Sequence, residues 1–143
     1  MKNPAPYIRT ALVTLLNETI TYDGVNVPCY SGEGEEEDQY QIFLNSPGWS
    51  PRNDKSSFTK KWVQPIEVVS KQATNINTHV DAIAGAIMQL LNPTPTAKAI
   101  PDSADFQVFS VEADNPNYIS EPNGEGQYLN RLIINYNFFI NQI

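Results

Sequence analysis

The sequence predicts an α+β fold, a mainly antiparallel β-sheet with two α-helices packed on one face. Three observations carry this expectation. Apolar residues recur at helical spacing in two separate segments, YIRTALVTLLNE (7–18) and NTHVDAIAGAIMQLL (77–91). Strand-like runs are grouped between those segments. The chain closes on a long alternating stretch, QYLNRLIINYNFFINQ (127–142).

The first helix is marked by Ile8, Leu12, Leu15 and Leu16, with Pro4 and Pro6 where a first turn tolerates them. TITYDGVNVPCYS (19–31) follows, two short β-prone runs around Asp23-Gly24, a strong two-residue hairpin signal. Pro28 makes its run a sheet edge or a strand end. QYQIFLNS (39–46) is a strand by composition, and PGWSPRNDKSS (47–57) reads as a turn-rich loop. SFTKKWVQPIEVVSK (57–71) alternates, with Phe58, Trp62, Ile66 and Val68 on one face and Thr59, Lys61 and Glu67 on the other. Pro65 there suggests a bulge or an edge.

In the second helix Val80, Ile83, Ala84, Ile87 and Leu91 form one stripe, with Thr78 as cap and Asp81 three positions on. Asn92-Pro93 ends it, and PTPTAKAIPDSA (93–104) is a proline-broken linker. DFQVFSVEA (105–113) and the closing stretch are the last two strands, with DNPNYISEPNGEG (114–126) as a long loop between them. In the closing strand Tyr128, Leu132, Ile134, Tyr136, Phe138 and Ile140 share one face. Arg131, Asn135, Asn137 and Asn141 share the other, interrupted by Leu129, Ile133 and Phe139. Such a strand is expected to be the central or longest member of the sheet.

At 143 residues the chain reads as one domain, 1–143, able to bury roughly 68–70% of its unfolded surface. Hydrophobic content of 41%, with seven Tyr and six Phe, argues against global disorder. The single Cys29 excludes an internal disulfide framework and any multi-cysteine metal site. The first residues lack a continuous apolar core, so no signal peptide is expected, and no apolar run reaches the roughly 18–20 residues of a membrane span. The expectation is a soluble, intracellular protein with no membrane association.

The net charge of −7 is unevenly spread. Residues 33–38 hold five acids in six positions, Glu33, Glu35, Glu36, Glu37 and Asp38. Residues 47–71 reverse the sign, with Arg52, Lys55, Lys60, Lys61 and Lys71 against Asp54 and Glu67. From 101 to 143 there are six acids and only Arg131. A surface divided in this way orients partners.

Few residues point to bond-making chemistry. GEGEEE lacks the third glycine of a dinucleotide loop, and carboxylates beside a pyrophosphate would repel it. The acidic run lacks the alternating ligands of a calcium loop and reads as a solvated block rather than a metal site. His79, alone in the chain, reads as an exposed or capping residue, and Cys29 beside Pro28 as a small strand-end hydrophobe. A metal-dependent hydrolase built on 33–38 has no partners elsewhere. In segment 49–62, Trp49, Phe58 and Trp62 interleave with Arg52, Lys55, Lys60 and Lys61, the combination used by single-strand nucleic-acid binders. The plainer reading turns Phe58 and Trp62 inward by strand alternation and fits the acidic balance better.

The run of segments resembles the tail-completion or tail-terminator family of tailed bacteriophages, small neck proteins of the lambda type. The resemblance is carried by YIRTALVTLLNE, VNVPCYSGEGEEEDQYQIFLNS, TKKWVQPIEVVSK, NTHVDAIAGAIMQLL, DFQVFSVEA and QYLNRLIINYNFFI, about 130 residues in all. The acidic insert and the proline-rich NPTPTAKAIPDSA depart from the family pattern.

The resemblance implies a non-enzymatic virion protein without a cofactor. It would form a homo-oligomeric ring, six-fold or alternatively twelve-fold, that closes the tail tube or joins it to the head. Its neighbours would be portal or connector and tail proteins, and DNA would pass through the lumen without specific binding. Within such a ring Glu33, Glu35, Glu36, Glu37 and Asp38 either face the lumen, where they repel phosphates, or pair across the subunit boundary with Arg52, Lys55, Lys60 and Lys61. Trp49, Tyr118 and Ile119 are the candidate apolar anchors, and loops 46–57 and 113–126 are expected to order on assembly.

Overall fold

The computed structural model describes residues 2–32, 34, 38–51, 59–94 and 99–143, with 49–51 and 59 described by backbone alone. The fold is α+β, as the periodicities require. Helix α1 (Ala5–Leu16) carries Pro6 in its first turn, and Ile8, Leu12 and Leu16, spaced by four, are fully buried. Leu15 packs only at the margin of that stripe. The helix ends at Asn17, whose side-chain Oδ1 accepts the Cys29 backbone N–H at 2.9 Å and ties the helix end to the sheet.

Strands β1 (Thr21–Tyr22) and β2 (Val25–Asn26) form the expected hairpin. Its two turn residues, Asp23 and Gly24, have φ of 53° and 75°, the left-handed pair that a tight hairpin requires.

The main sheet has seven strands. Strand β3 (Cys29–Tyr30) starts just after Pro28 and lies at the edge, parallel to β4 (Tyr40–Leu44). All other pairings are antiparallel. At the centre, β6 (Thr59–Gln72) and β9 (Tyr128–Gln142) run side by side through fourteen paired positions. Neither flank of this ladder is covered by a single strand. Beside β6, β4 pairs with the half from Ile66 to Ser70 and β5 (Gly48–Pro51) with the half from Lys60 to Val63. Beside β9, β8 (Asn117–Pro122) covers Tyr128 to Ile133 and β7 (Phe106–Ala113) covers Tyr136 to Gln142.

Two of these strands correct the sequence reading. Segments 48–51 and 117–122 read as loops, and as candidates to order only on assembly, because Gly, Pro, Ser and Asn are poor strand formers. In the structure both are strands within the single chain. The long ladder offers each a side already lined with backbone donors and acceptors, and that pairing overrides local preference. Residues 52–57 of the first loop lie outside the described residues.

Pro65 sits neither on a bulge nor on an outer edge. Its register with Asn135 of β9 is regular, and its carbonyl accepts the N–H of Asn45 at 3.1 Å. The proline nitrogen faces that same side, where the chain leaves β4 before entering β5, so no ladder bond is lost. Gln64, 2% exposed, fills the gap, its Nε2 donating to the carbonyls of Asn45 (2.7 Å) and Pro65 (3.0 Å).

Helix α2 (Thr78–Leu91) buries Val80, Ile83, Ala84, Ile87 and Leu91, the stripe its periodicity predicts. Its start differs from expectation. Asn77 is the cap position, no side chain caps it, and Thr78 is already helical. Both helices share one apolar core with the inner sheet residues Trp62, Ile66, Val68, Leu132, Ile134, Tyr136, Phe138 and Ile140. No helix among the described residues is long and apolar enough to cross a membrane.

Candidate subunit interface

The acidic run begins where β3 ends. Of its five acids only Asp38 is described, while Glu33, Glu35, Glu36 and Glu37 lie outside the described residues. Asp38 accepts hydrogen bonds from Tyr30 Oη at 2.6 Å and Gln41 Nε2 at 3.4 Å. Gly34 rests on the outer face of the sheet, so close that an added Cβ would come within 2.9 Å of the Phe43 ring. A larger residue there would have to push the ring aside.

The basic segment lies elsewhere. Arg52 and Lys55 are outside the described residues. Lys60 and Lys61 open β6, opposite Pro51 and Ser50 of β5 and Ile140 and Phe139 of β9. Phe43, beside Gly34, pairs with Glu67, six residues further along β6 than Lys61 and so about 20 Å away along the strand. Lys61 is therefore far from Gly34 within one chain, whereas Lys71, at the other end of the basic segment, lines the same cavity as Gly34.

The three candidate anchors are also dispersed. Trp49 pairs in register with Trp62 on the β5 side. Tyr118 and Ile119 lie on β8, at the opposite edge, in register with Leu132 and Arg131. Tyr118 is 45% exposed and its hydroxyl donates to Asp81 Oδ1 at 2.6 Å, which holds the phenol above its ordinary pKa because the carboxylate favours the protonated form. Asp81 therefore braces β8 against α2 instead of completing a cap. Trp62 is 2% exposed, turned into the core as alternation predicts, and offers no ring face to a base.

A cluster that sequence reasoning missed occupies the outer face between β4, β6, β8 and β9. Glu67, 6% exposed, receives hydrogen bonds from Arg131 Nε and from Asn45 Nδ2, the latter at 3.1 Å. Arg131 also reaches Glu121 Oε1 at 3.4 Å. The bond to Glu67 raises the guanidinium pKa further above its ordinary value. Around this pair a shallow cavity of about 380 Å³ is lined by Gly34, Phe43, Val69, Lys71 and Leu129 among others. The available signal was a glutamate inside a valine-rich strand and a single arginine in an otherwise acidic stretch. A larger apolar groove of about 760 Å³ runs beside α1, between Tyr7, Ala11, Leu15 and Pro101, with Tyr7 Oη donating to the Pro101 carbonyl at 2.5 Å.

The two residues considered for chemistry are absorbed by packing. Cys29 is 5% exposed, and burial pushes its thiol pKa up to about 12, so it stays an uncharged, weakly nucleophilic group. His79 is neither exposed nor a cap. It is half-buried, with Nδ1 2.7 Å from Tyr22 Oη and its ring among those of Tyr22 and Tyr40. Among the described residues no group of three or more His, Cys, Asp or Glu is placed to hold a metal ion.

Among the described residues, both helices pack on the inner face of the sheet, and neither packs on the outer one. No protein-family model matches this chain, and no curated protein does.

Proposed function

We propose that the protein is a structural subunit of a tailed-phage neck or tail, which assembles with copies of itself into a ring around the DNA channel and closes the tail tube or joins it to the head. The observation that carries this reading is the one-sided cover of the sheet. Both helices pack on the inner face, while Val63, Val69, Leu129, Ile133 and Phe139 on the outer face stay half-buried among charged groups. Half-buried apolar groups in a charged frame are the kind of surface that meets another protein. The resemblance of the segment order to tail-terminator proteins supplies the particular assembly. The reading places the protein in the virion, with portal or connector and tail proteins above and below it and DNA passing without specific contacts.

The test is the mass and appearance of the purified chain. Light scattering and negative-stain images should show rings whose mass is a multiple of 16.0 kDa, six-fold by preference. A species that stays at 16.0 kDa at high concentration and enters no virion or connector assembly would sink this reading.

A further inference from the structure

Strand β7 is paired with β9 on one side only, and its ladder is broken by a bulge between Val108 and Ser110. The bulge takes Phe109 out of register and leaves it 43% exposed, its ring 6.1 Å from that of Phe139. Bulges re-aim side chains, and a bulged edge cannot be extended by another strand through that point. What β7 offers is therefore a side-chain surface with an exposed aromatic at its centre, a residue type enriched at interfaces.

Charge indicates what fits against it. Residues 99–130 carry six acids and no base. Asp105 is bonded to Lys2 and Glu121 to Arg131, but Glu112 and Asp114 are exposed and pair with no base among the described residues. On the other flank of the ladder, Lys61 pairs with no acid among the described residues. The sequence between β5 and β6 adds Arg52 and Lys55 against Asp54. One sheet thus bears opposite charge on its two sides. A two-fold contact of β7 with β7 would set Glu112 and Asp114 against their own copies, whereas a head-to-tail contact sets them against Lys61.

We infer that the β7 edge docks on the β5–β6 side of a second copy of this chain, with Phe109 as anchor and Glu112 and Asp114 facing Lys61 of that copy. This rests on the ring reading and specifies its interface. It shifts the acidic partner from residues 33–38 to β7.

The experiment uses two charge-reversed chains, Glu112→Lys with Asp114→Lys, and Lys61→Glu. Circular dichroism confirms that each is folded. Alone, each should associate at least about tenfold more weakly than the wild type at low salt, because like charges now face each other. Mixed in equal amounts, they should assemble again, as rings of even copy number with the two chains alternating. Wild-type rings together with unchanged rings of either variant overturn this interface and leave the ring reading standing. Folded variants that fail to assemble even when mixed overturn the pairing of these two edges. A wild type that never assembles removes the ring reading, and this inference with it.

Discussion

The two faces of the β6–β9 ladder are made by the same strands in the same register, yet they follow opposite rules. On the inner face Trp62, Gln64, Ile66, Val68 and Ser70 alternate with Leu132, Ile134, Tyr136, Phe138 and Ile140, none more than 3% exposed. Most of these residues are apolar, with Gln64 and Ser70 as exceptions, because two amphipathic helices supply the opposing layer. On the outer face the apolar residues are half-buried, and the most enclosed ladder residues are polar, Glu67 at 6% and Asn137 at 4%. Isolated carboxylates avoid such positions. Glu67 tolerates its own because Arg131 and Asn45 meet both of its oxygens. Alternation decides which face a residue joins, and only the neighbouring layer decides what that face has to be.

If the inner face is held by packing alone, removing its largest side chains should have the largest effect. Phe138 is fully buried and pairs with Trp62 in the ladder. Phe138→Ala is expected to cost about 3–5 kcal/mol, the lost transfer energy plus that of the cavity. Urea unfolding followed by tryptophan fluorescence measures it, and a loss below about 1 kcal/mol would contradict the core assigned here.

The outer face should respond to pairing rather than to volume. Arg131→Met keeps much of the stem but leaves the Glu67 carboxylate enclosed with Asn45 as its one remaining donor. A fully buried pair broken in this way costs about 3–5 kcal/mol. The Arg131 side chain is 32% exposed, so solvent screening reduces the expectation to about 2 kcal/mol. Adding Glu67→Leu should recover most of the loss, since a shape-matched apolar pair needs no donor. If the double variant is as unstable as Arg131→Met, the pair is not the source of the effect.

The same contrast explains what could be read in the sequence. The α2 stripe and the inner residues of β9 from Leu132 to Ile140 were legible because a helix or strand that buries one face must repeat its apolar residues at its own period. The hairpin at Asp23-Gly24 was legible because its turn demands left-handed residues. Strands β5 and β8 were not, since their cause lies in the free flanks of the central ladder and not in GWSP or NYISEP. Asn130, with the inner residues yet 0% exposed, was hidden for a similar reason. Its amide is satisfied by Ser120 and by the Thr74 carbonyl, both distant in sequence. For the candidate interface, the charge blocks were visible as composition, but the distance of Lys61 from Gly34 along β6 needed the register. The Glu67–Arg131 pair joins residues 64 apart and left only the faint trace of a lone acid in β6 and a lone base in β9.

The smallest effect is expected where the outer face is apolar. Ile133 stands in register with Glu67 on one side and Asn117 on the other, and is half-buried. Ile133→Ala removes apolar area that water already reaches in part, so dilute protein should lose under about 1 kcal/mol of stability. Leu132, one position earlier and 2% exposed, provides the control, because Leu132→Ala should cost about 2–5 kcal/mol in the same assay. Equal losses at the two positions would mean that a layer covers the outer face in the isolated subunit, and the inward–outward contrast would fail. A loss at Ile133 that grows with protein concentration would instead place this face inside an assembly, since association stabilises only what it covers.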